Sequence, residues 1–154
     1  MRTVFRVIAV SLVGITMAAP AAPVRPAASA KRFVERLYGK AQPFVPDEQT
    51  YTPELARLID RGYAVANEID DPDLVGNALC DCQDLRSFDK TITVISATPT
   101  AASVRVLLTG DVDGPRRFLL KLARVDGAWR VADSIAEPGS SYAAFLRQSI
   151  EEVE

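Results

Sequence analysis

The sequence predicts an α+β fold: a curved four-stranded antiparallel meander packed on two N-terminal helices, with a C-terminal helix after it. Three observations carry this. From Thr91 to Ile135 four short runs rich in β-branched and apolar residues follow one another, separated by turn residues. Asp126-Gly127 stands between the last two runs, and Asp-Gly between apolar segments is the strongest short-range hairpin signal, because a type I′ turn needs positive φ at both central residues. Helix signals flank the strands on both sides and nowhere interrupt them.

The first 21 residues read as a targeting segment. Arg2 and Arg6 form a basic start, Val7 to Met17 an apolar stretch of about eleven residues, and Ala18, Ala19, Ala21 and Ala22 the small residues a signal peptidase needs. Such a stretch is too short to span a bilayer as a helix. Cleavage after Ala18 or after Ala21 satisfies the small-residue rule. No cysteine follows the apolar stretch and no twin-arginine pair precedes it, so the expectation is a periplasmic or secreted protein released by the general secretory route. Loss of Arg2 and Arg6 takes Lys+Arg from 18 to 16 against 20 Asp+Glu, a net charge of −4. No basic tract points to nucleic acid, and nothing beyond the leader points to a membrane.

Residues 22–29 read as an Ala/Pro tether, residues 30–150 as one domain and residues 151–154 as an acidic tail. In the domain, Ser29 is the expected cap of a first helix from Ala30 to about Gln42, with Phe33, Leu37, Tyr38 and Ala41 at helical spacing and Pro43 and Pro46 as stops. Thr52-Pro53-Glu54 opens a second helix as N-cap, N1 proline and dipole-matched acid. Its inward stripe is Leu55, Leu58, Ile59, Gly62 and Ala66, with Gly62 either weakening the helix or admitting a close neighbour. Tyr38 and Tyr63 on these helices read as core aromatics with their hydroxyls at a rim. Glu68 to Asp73 is an acidic loop whose spacing is not that of a calcium-binding EF-hand, which favours a solvated turn.

In the meander, counting outward from Asp126-Gly127 pairs Val125 with Ala128, Arg124 with Trp129, Leu122 with Val131, Leu120 with Asp133 and Phe118 with Ile135. Phe118, Leu120, Leu122, Trp129, Val131 and Ile135 then share the core face. Lys121, Arg130, Ala132 and Ser134 lie on the other, with Leu119 and Val125. Arg124 can stack on the Trp129 indole. Asp133 falls on the apolar face, where a carboxylate is costly unless paired or wet: either the strand end is open to solvent or Asp133 lines a pocket. Ala102 to Leu108 alternates, Asp111 to Pro115 is a turn cluster, and Thr98-Pro99-Thr100 ends the first strand. Gly139-Ser140-Ser141 caps a last helix with Tyr142, Phe145, Leu146 and Ile150 inward. The trailing acids Glu151, Glu152 and Glu154 oppose its dipole.

The chain has no histidine and two cysteines. That excludes a Ser-His-Asp triad, a Cys-His pair and His-ligated zinc, and leaves carboxylates, tyrosines, lysines or the cysteines for any chemistry. Cys80 and Cys82 lie in Leu79-Cys80-Asp81-Cys82-Gln83-Asp84. On an extended strand they point to one side at the long limit of disulfide geometry, and their bond would close a small strained ring. An oxidising compartment favours that bond. Two buried thiols, a bond to another chain, and a redox or metal role are the alternatives; the metal role lacks further ligands, and the redox motif proper is C-x-x-C. Asp81, Gln83 and Asp84 either face outward or cap a turn.

Leu79-Cys80-Asp81-Cys82-Gln83-Asp84, followed by a meander ending Arg124-Val125-Asp126-Gly127-Ala128-Trp129-Arg130-Val131-Ala132-Asp133, resembles the domain of unknown function 3828 family of small exported bacterial proteins. The likeness covers about Phe33 to Leu146. The Asp-Gly-x-Trp-Arg-Val ending is shared across the nuclear transport factor 2-like superfamily of cone-shaped α+β folds. The resemblance implies a curved sheet around helices with a pocket at the open end, and no established activity. The superfamily holds both enzymes such as ketosteroid isomerase, with its Asp base and oxyanion hole in an apolar pocket, and non-catalytic binding and dimerisation domains. No catalytic motif of those enzymes is matched.

The expected function is a non-catalytic domain that binds a small ligand or a protein, with Asp133, Trp129, Arg124, Tyr38 and Tyr63 as candidate pocket residues. The alternatives are an acid–base enzyme of isomerase or dehydratase type using Asp133 or Asp81 near a tyrosine, and a periplasmic inhibitor or immunity-type protein. No cofactor and no metal are expected. A homodimer is compatible with the fold and demanded by no residue.

Overall fold

A computed structural model describes residues 25–39, 49–80, 88–110, 114–139 and 141–153. The leader, residues 22–24 of the tether and Asp81 to Asp84 lie outside these residues. The element order is α1 (Pro26–Leu37), α2 (Pro53–Ile69), β1 (Asp89–Ala97), β2 (Ala101–Thr109), β3 (Arg116–Val125), β4 (Ala128–Glu137) and α3 (Tyr142–Glu151). The strands form one antiparallel sheet in the order β1-β2-β3-β4, so the fold is the α+β meander with helices before and after it. Among the described residues no helix is long and apolar enough to cross a membrane.

The first helix begins four residues earlier than the tether boundary allowed and ends before Gln42. Pro26 takes the N1 position, where a missing N–H costs nothing, and no side chain caps the start. Ser29 is therefore inside the helix, not its cap, and its hydroxyl donates to the Pro26 carbonyl at 2.9 Å. Ala30, Val34 and Leu37 form the buried stripe. Thr52 caps α2 as expected, its Oγ1 accepting from the Leu55 N–H at 3.4 Å. Gly62 admits close neighbours: a Cβ there would stand 3.3 Å from Leu146 of α3 and 3.3 Å from Val75. Asp70 ends α2 with φ 57°, and the exposed Asp71 accepts from the Asp73 N–H at 3.1 Å, so the acidic loop is a solvated turn. Ser141 caps α3 through the Ala144 N–H at 3.1 Å.

The Asp126-Gly127 turn has φ 50° and 77°, the type I′ signature. Pairing follows the predicted register from Val125↔Ala128 to Leu122↔Val131, and then slips. A bulge makes Lys121 the partner of Asp133, Leu120 that of Ser134 and Phe118 that of Ala136. Ala132 is the extra residue, and a one-residue shift moves every following side chain to the opposite face. Two expectations are corrected by it. Ser134, expected on the wetter face, is 2 % exposed in the core. Ile135, expected in the core, pairs with Leu119 on the other face. A second bulge in β1 falls at Ile95, which stays about half exposed.

Thr50 to Thr52 run beside β4. Val131 N–H donates to Thr50 O at 2.8 Å and Thr52 N–H to Val131 O at 2.9 Å, with Tyr51 in a parallel bridge to Val131. The core lies between the sheet and the helices and is filled by Val34, Leu55, Val104, Val106, Phe118, Leu120, Val131 and Leu146 among others.

Candidate functional site

A cleft of about 460 Å³ opens between α1 and the β3–β4 hairpin. From α1 come Ser29, Arg32, Phe33 and Arg36, which flank its buried stripe, and Leu37, which ends that stripe. The hairpin supplies Arg124, Ala128, Trp129 and Arg130, and Gln49 and Thr50 complete the lining. Trp129 is 5 % exposed. Its Nε1–H donates to Ser29 Oγ at 2.9 Å, tying the hairpin to α1. Arg124 stacks on the indole, its guanidinium carbon 4.9 Å from the ring centroid, and donates to the same hydroxyl at 3.5 Å. The stacking read from the sequence is thus present, and Ser29 is its anchor. Arg130 donates to the Trp129 carbonyl at 3.2 Å.

The cleft brings Trp129 and Arg124 together and leaves the other three candidate pocket residues elsewhere. Asp133, carried off the core face by the bulge, accepts at one oxygen from the Ser134 N–H at 2.9 Å and from the Ala143 N–H at 3.0 Å. It is an anion at the N-terminus of α3, where the helix dipole and free N–H groups favour negative charge. Tyr63 is 52 % exposed, a correction to its expected core position, because it lies off the α2 stripe. Tyr38, just past the end of α1, is 2 % exposed and donates to the Leu79 carbonyl at 2.7 Å. It fixes the loop that precedes the cysteine segment. Tyr142 does the same from α3, donating to the Val75 carbonyl at 2.9 Å.

Burial pushes the phenols of Tyr38, Tyr51 and Tyr142 well above the usual tyrosine range, with neighbouring tyrosines adding to it. A pKa raised in the folded state gives stability that is present below the unfolded value of about 10 and is lost as pH rises past it. Stability is therefore expected to fall above about pH 10, with ionisation of these phenols and loss of helical circular dichroism coinciding. Tyrosinate absorbance from all three in a still-folded protein would contradict it.

A second cavity, of about 260 Å³, is lined in part by Phe118, Ser134, Tyr142 and Phe145. Ser134 Oγ is buried without a hydrogen-bond partner among the described residues. Of the cysteine segment only Leu79 and Cys80 are described. Both are fully buried, Cys80 is not a free thiol, and its carbonyl accepts from Arg116 at 3.2 Å. Asp81, Cys82, Gln83 and Asp84 lie outside the described residues.

Sequence reasoning missed Arg32, Arg36 and Arg130 as site residues. The two α1 arginines carry no signal of a site on the helix itself, and only docking against the hairpin places them in one cleft with Arg124. The available signal was the Arg124–Trp129 pair itself, since a stacked guanidinium on an indole marks where a helix could close over it.

Fold and cleft together define a small α+β domain with an arginine-rich recess over a tryptophan. No protein-family model matches the chain, and no curated protein matches it either.

Proposed function

We propose that this chain is an exported, non-catalytic domain that binds a small ligand in the cleft between α1 and the β3–β4 hairpin. The observation that carries this is the Ser29–Trp129–Arg124 arrangement: a tryptophan locked in place, a guanidinium stacked on it, and further donors beside it. A volume of about 460 Å³ falls in the range of small-molecule sites, about 300–1,000 Å³. Apolar surface from Phe33, Leu37 and Trp129 with a few convergent polar groups is the composition such sites have. The acid–base alternative loses support in its Asp133 form, because one oxygen of that carboxylate accepts from two backbone N–H groups at the α3 junction; Asp81 lies outside the described residues.

The proposal includes kinship with the domain of unknown function 3828 family and the nuclear transport factor 2-like superfamily, on the residues quoted above. It includes export by a cleaved leader. It also includes a Cys80–Cys82 bond, supported by the absence of a free thiol at Cys80 and by Cys82 being the only other cysteine in the sequence.

Intact mass of the protein recovered from the periplasm, under native and then denaturing conditions, tests these points together. The denatured mass is expected to match cleavage after Ala18 or Ala21 and to be two hydrogens below the reduced chain. The native mass is expected to carry an addition that vanishes on denaturation. A native mass equal to the bare chain, from protein that also binds no added small molecule, would overturn the ligand reading.

A further inference from the structure

Four guanidiniums line the cleft, from Arg32, Arg36, Arg124 and Arg130, and among the described residues no carboxylate lines it with them. The ion pairs Lys31–Glu35, Arg57–Glu54 and Arg105–Glu137 involve none of these four guanidiniums. Glu35 is the acid nearest in sequence to the α1 pair. It lines an adjoining depression with Arg32 and Arg36, and its carboxylate stands 3.7 Å from Lys31. A guanidinium keeps its charge and cannot relieve crowding by losing a proton. Like charges gathered on a partly apolar recess repel one another, and solvent or a bound anion relieves that repulsion. Two of the four are also held in position: Arg124 by the indole and Ser29, Arg130 by the Trp129 carbonyl. Fixed guanidinium forks suit oxyanions, which they engage through paired N–H donors.

The apolar lining and the volume narrow the class further. A cleft of about 460 Å³ has room for roughly fifteen waters at about 30 Å³ each, far more than one inorganic oxyanion fills. We propose that the ligand is a compact organic polyanion, with two or more carboxylate or phosphate groups on an apolar body, held by Arg32 and Arg36 from α1 and Arg124 and Arg130 from the hairpin. This rests on the ligand-binding reading above and adds the ligand's charge and class.

Trp129 is the chain's only tryptophan, so its fluorescence reports on the cleft alone. The experiment titrates the full protein with citrate, inorganic pyrophosphate and glucose at about 0.01 M ionic strength, where the screening length is about 30 Å. Citrate and pyrophosphate are expected to change Trp129 emission with a Kd of about 1 mM or tighter, and to weaken as salt is added. Glucose is expected to do nothing. R32Q/R36Q, at exposed helix positions, is expected to weaken binding at least about tenfold, and Lys31→Gln, outside the cleft, to weaken it far less, by its long-range charge alone. Tighter binding of citrate assigns the oxyanions as carboxylates, and tighter binding of pyrophosphate assigns them as phosphates. Absence of any response to both anions, or equal affinity in R32Q/R36Q, overturns the proposal. An uncharged molecule found in the native mass alongside that outcome would leave the cleft as a ligand site and remove only the polyanion.

Discussion

Trp129→Ala is expected to destabilise the protein by about 3–5 kcal/mol, the range for removing a large buried aromatic. Trp129 loses nearly all its exposure on folding, and two side-chain contacts depend on it. Its indole N–H holds Ser29 of α1 at 2.9 Å, and its ring face holds Arg124. Without the ring, α1 loses its side-chain tie to the hairpin and Arg124 loses its platform. For a domain of this size total stability is of the order of 5–15 kcal/mol, so the alanine variant should lose a large share of it. Trp129→Phe separates the contributions. It keeps an aromatic surface for Arg124 and removes the donor to Ser29, and its loss should be nearer 1 kcal/mol. Urea unfolding at constant m-value measures both. A loss below about 1.5 kcal/mol for the alanine variant would mean that the cleft floor is not an anchor.

Asp133→Ala is expected to cost about 2–3 kcal/mol and to leave ligand binding in the cleft unchanged. One carboxylate oxygen accepts from two backbone N–H groups, and hydrogen bonds to a charged acceptor are stronger than neutral ones. Removing it strands both donors and takes a negative charge away from the start of α3. Asp133→Asn keeps an acceptor and loses the charge, so a smaller loss of about 1 kcal/mol is expected. The pair of variants also divides the structural role from an acid–base one. A full loss of function in a folded Asp133→Asn protein, with stability intact, would revive the carboxylate as a chemical group and sink the capping role.

How far the sequence was legible follows from what each signal depends on. The Asp126-Gly127 turn and the Thr52-Pro53 helix start are local: a φ requirement and an N-cap, and both stand where they were read. The bulge at Ala132 is not local. Pairing by simple counting puts Asp133 and Ile135 inward, and pairing with one inserted residue puts Ser134 inward. The choice between them depends on the carboxylate finding donors at α3, more than a turn of chain away. The start of α1 was placed too late because Ser29 obeys the N-cap rule; the structure starts the helix at Pro26 by the N1 rule and puts the serine to work as a tertiary contact. Of the site, Trp129 and Arg124 were legible because they are cross-strand neighbours of a well-determined hairpin. Arg32 and Arg36 join them only through tertiary packing, which periodicity does not encode. Tyr63 was misread because an aromatic beside an apolar stripe looks the same whether it points in or out.

The run from Thr50 to Thr52 has a consequence for how copies of the chain meet. By hydrogen bonding to Val131 on the outer side of β4, it takes up backbone groups that would otherwise lie open along that margin of the sheet. On the opposite margin, the Ile95 bulge breaks the straight line of β1. A sheet with one flank occupied and the other kinked is a poor template for strand addition from a second molecule, the route by which sheets propagate into aggregates. Resistance to edge-to-edge pairing of this kind comes from the course of the backbone and does not depend on surface charge.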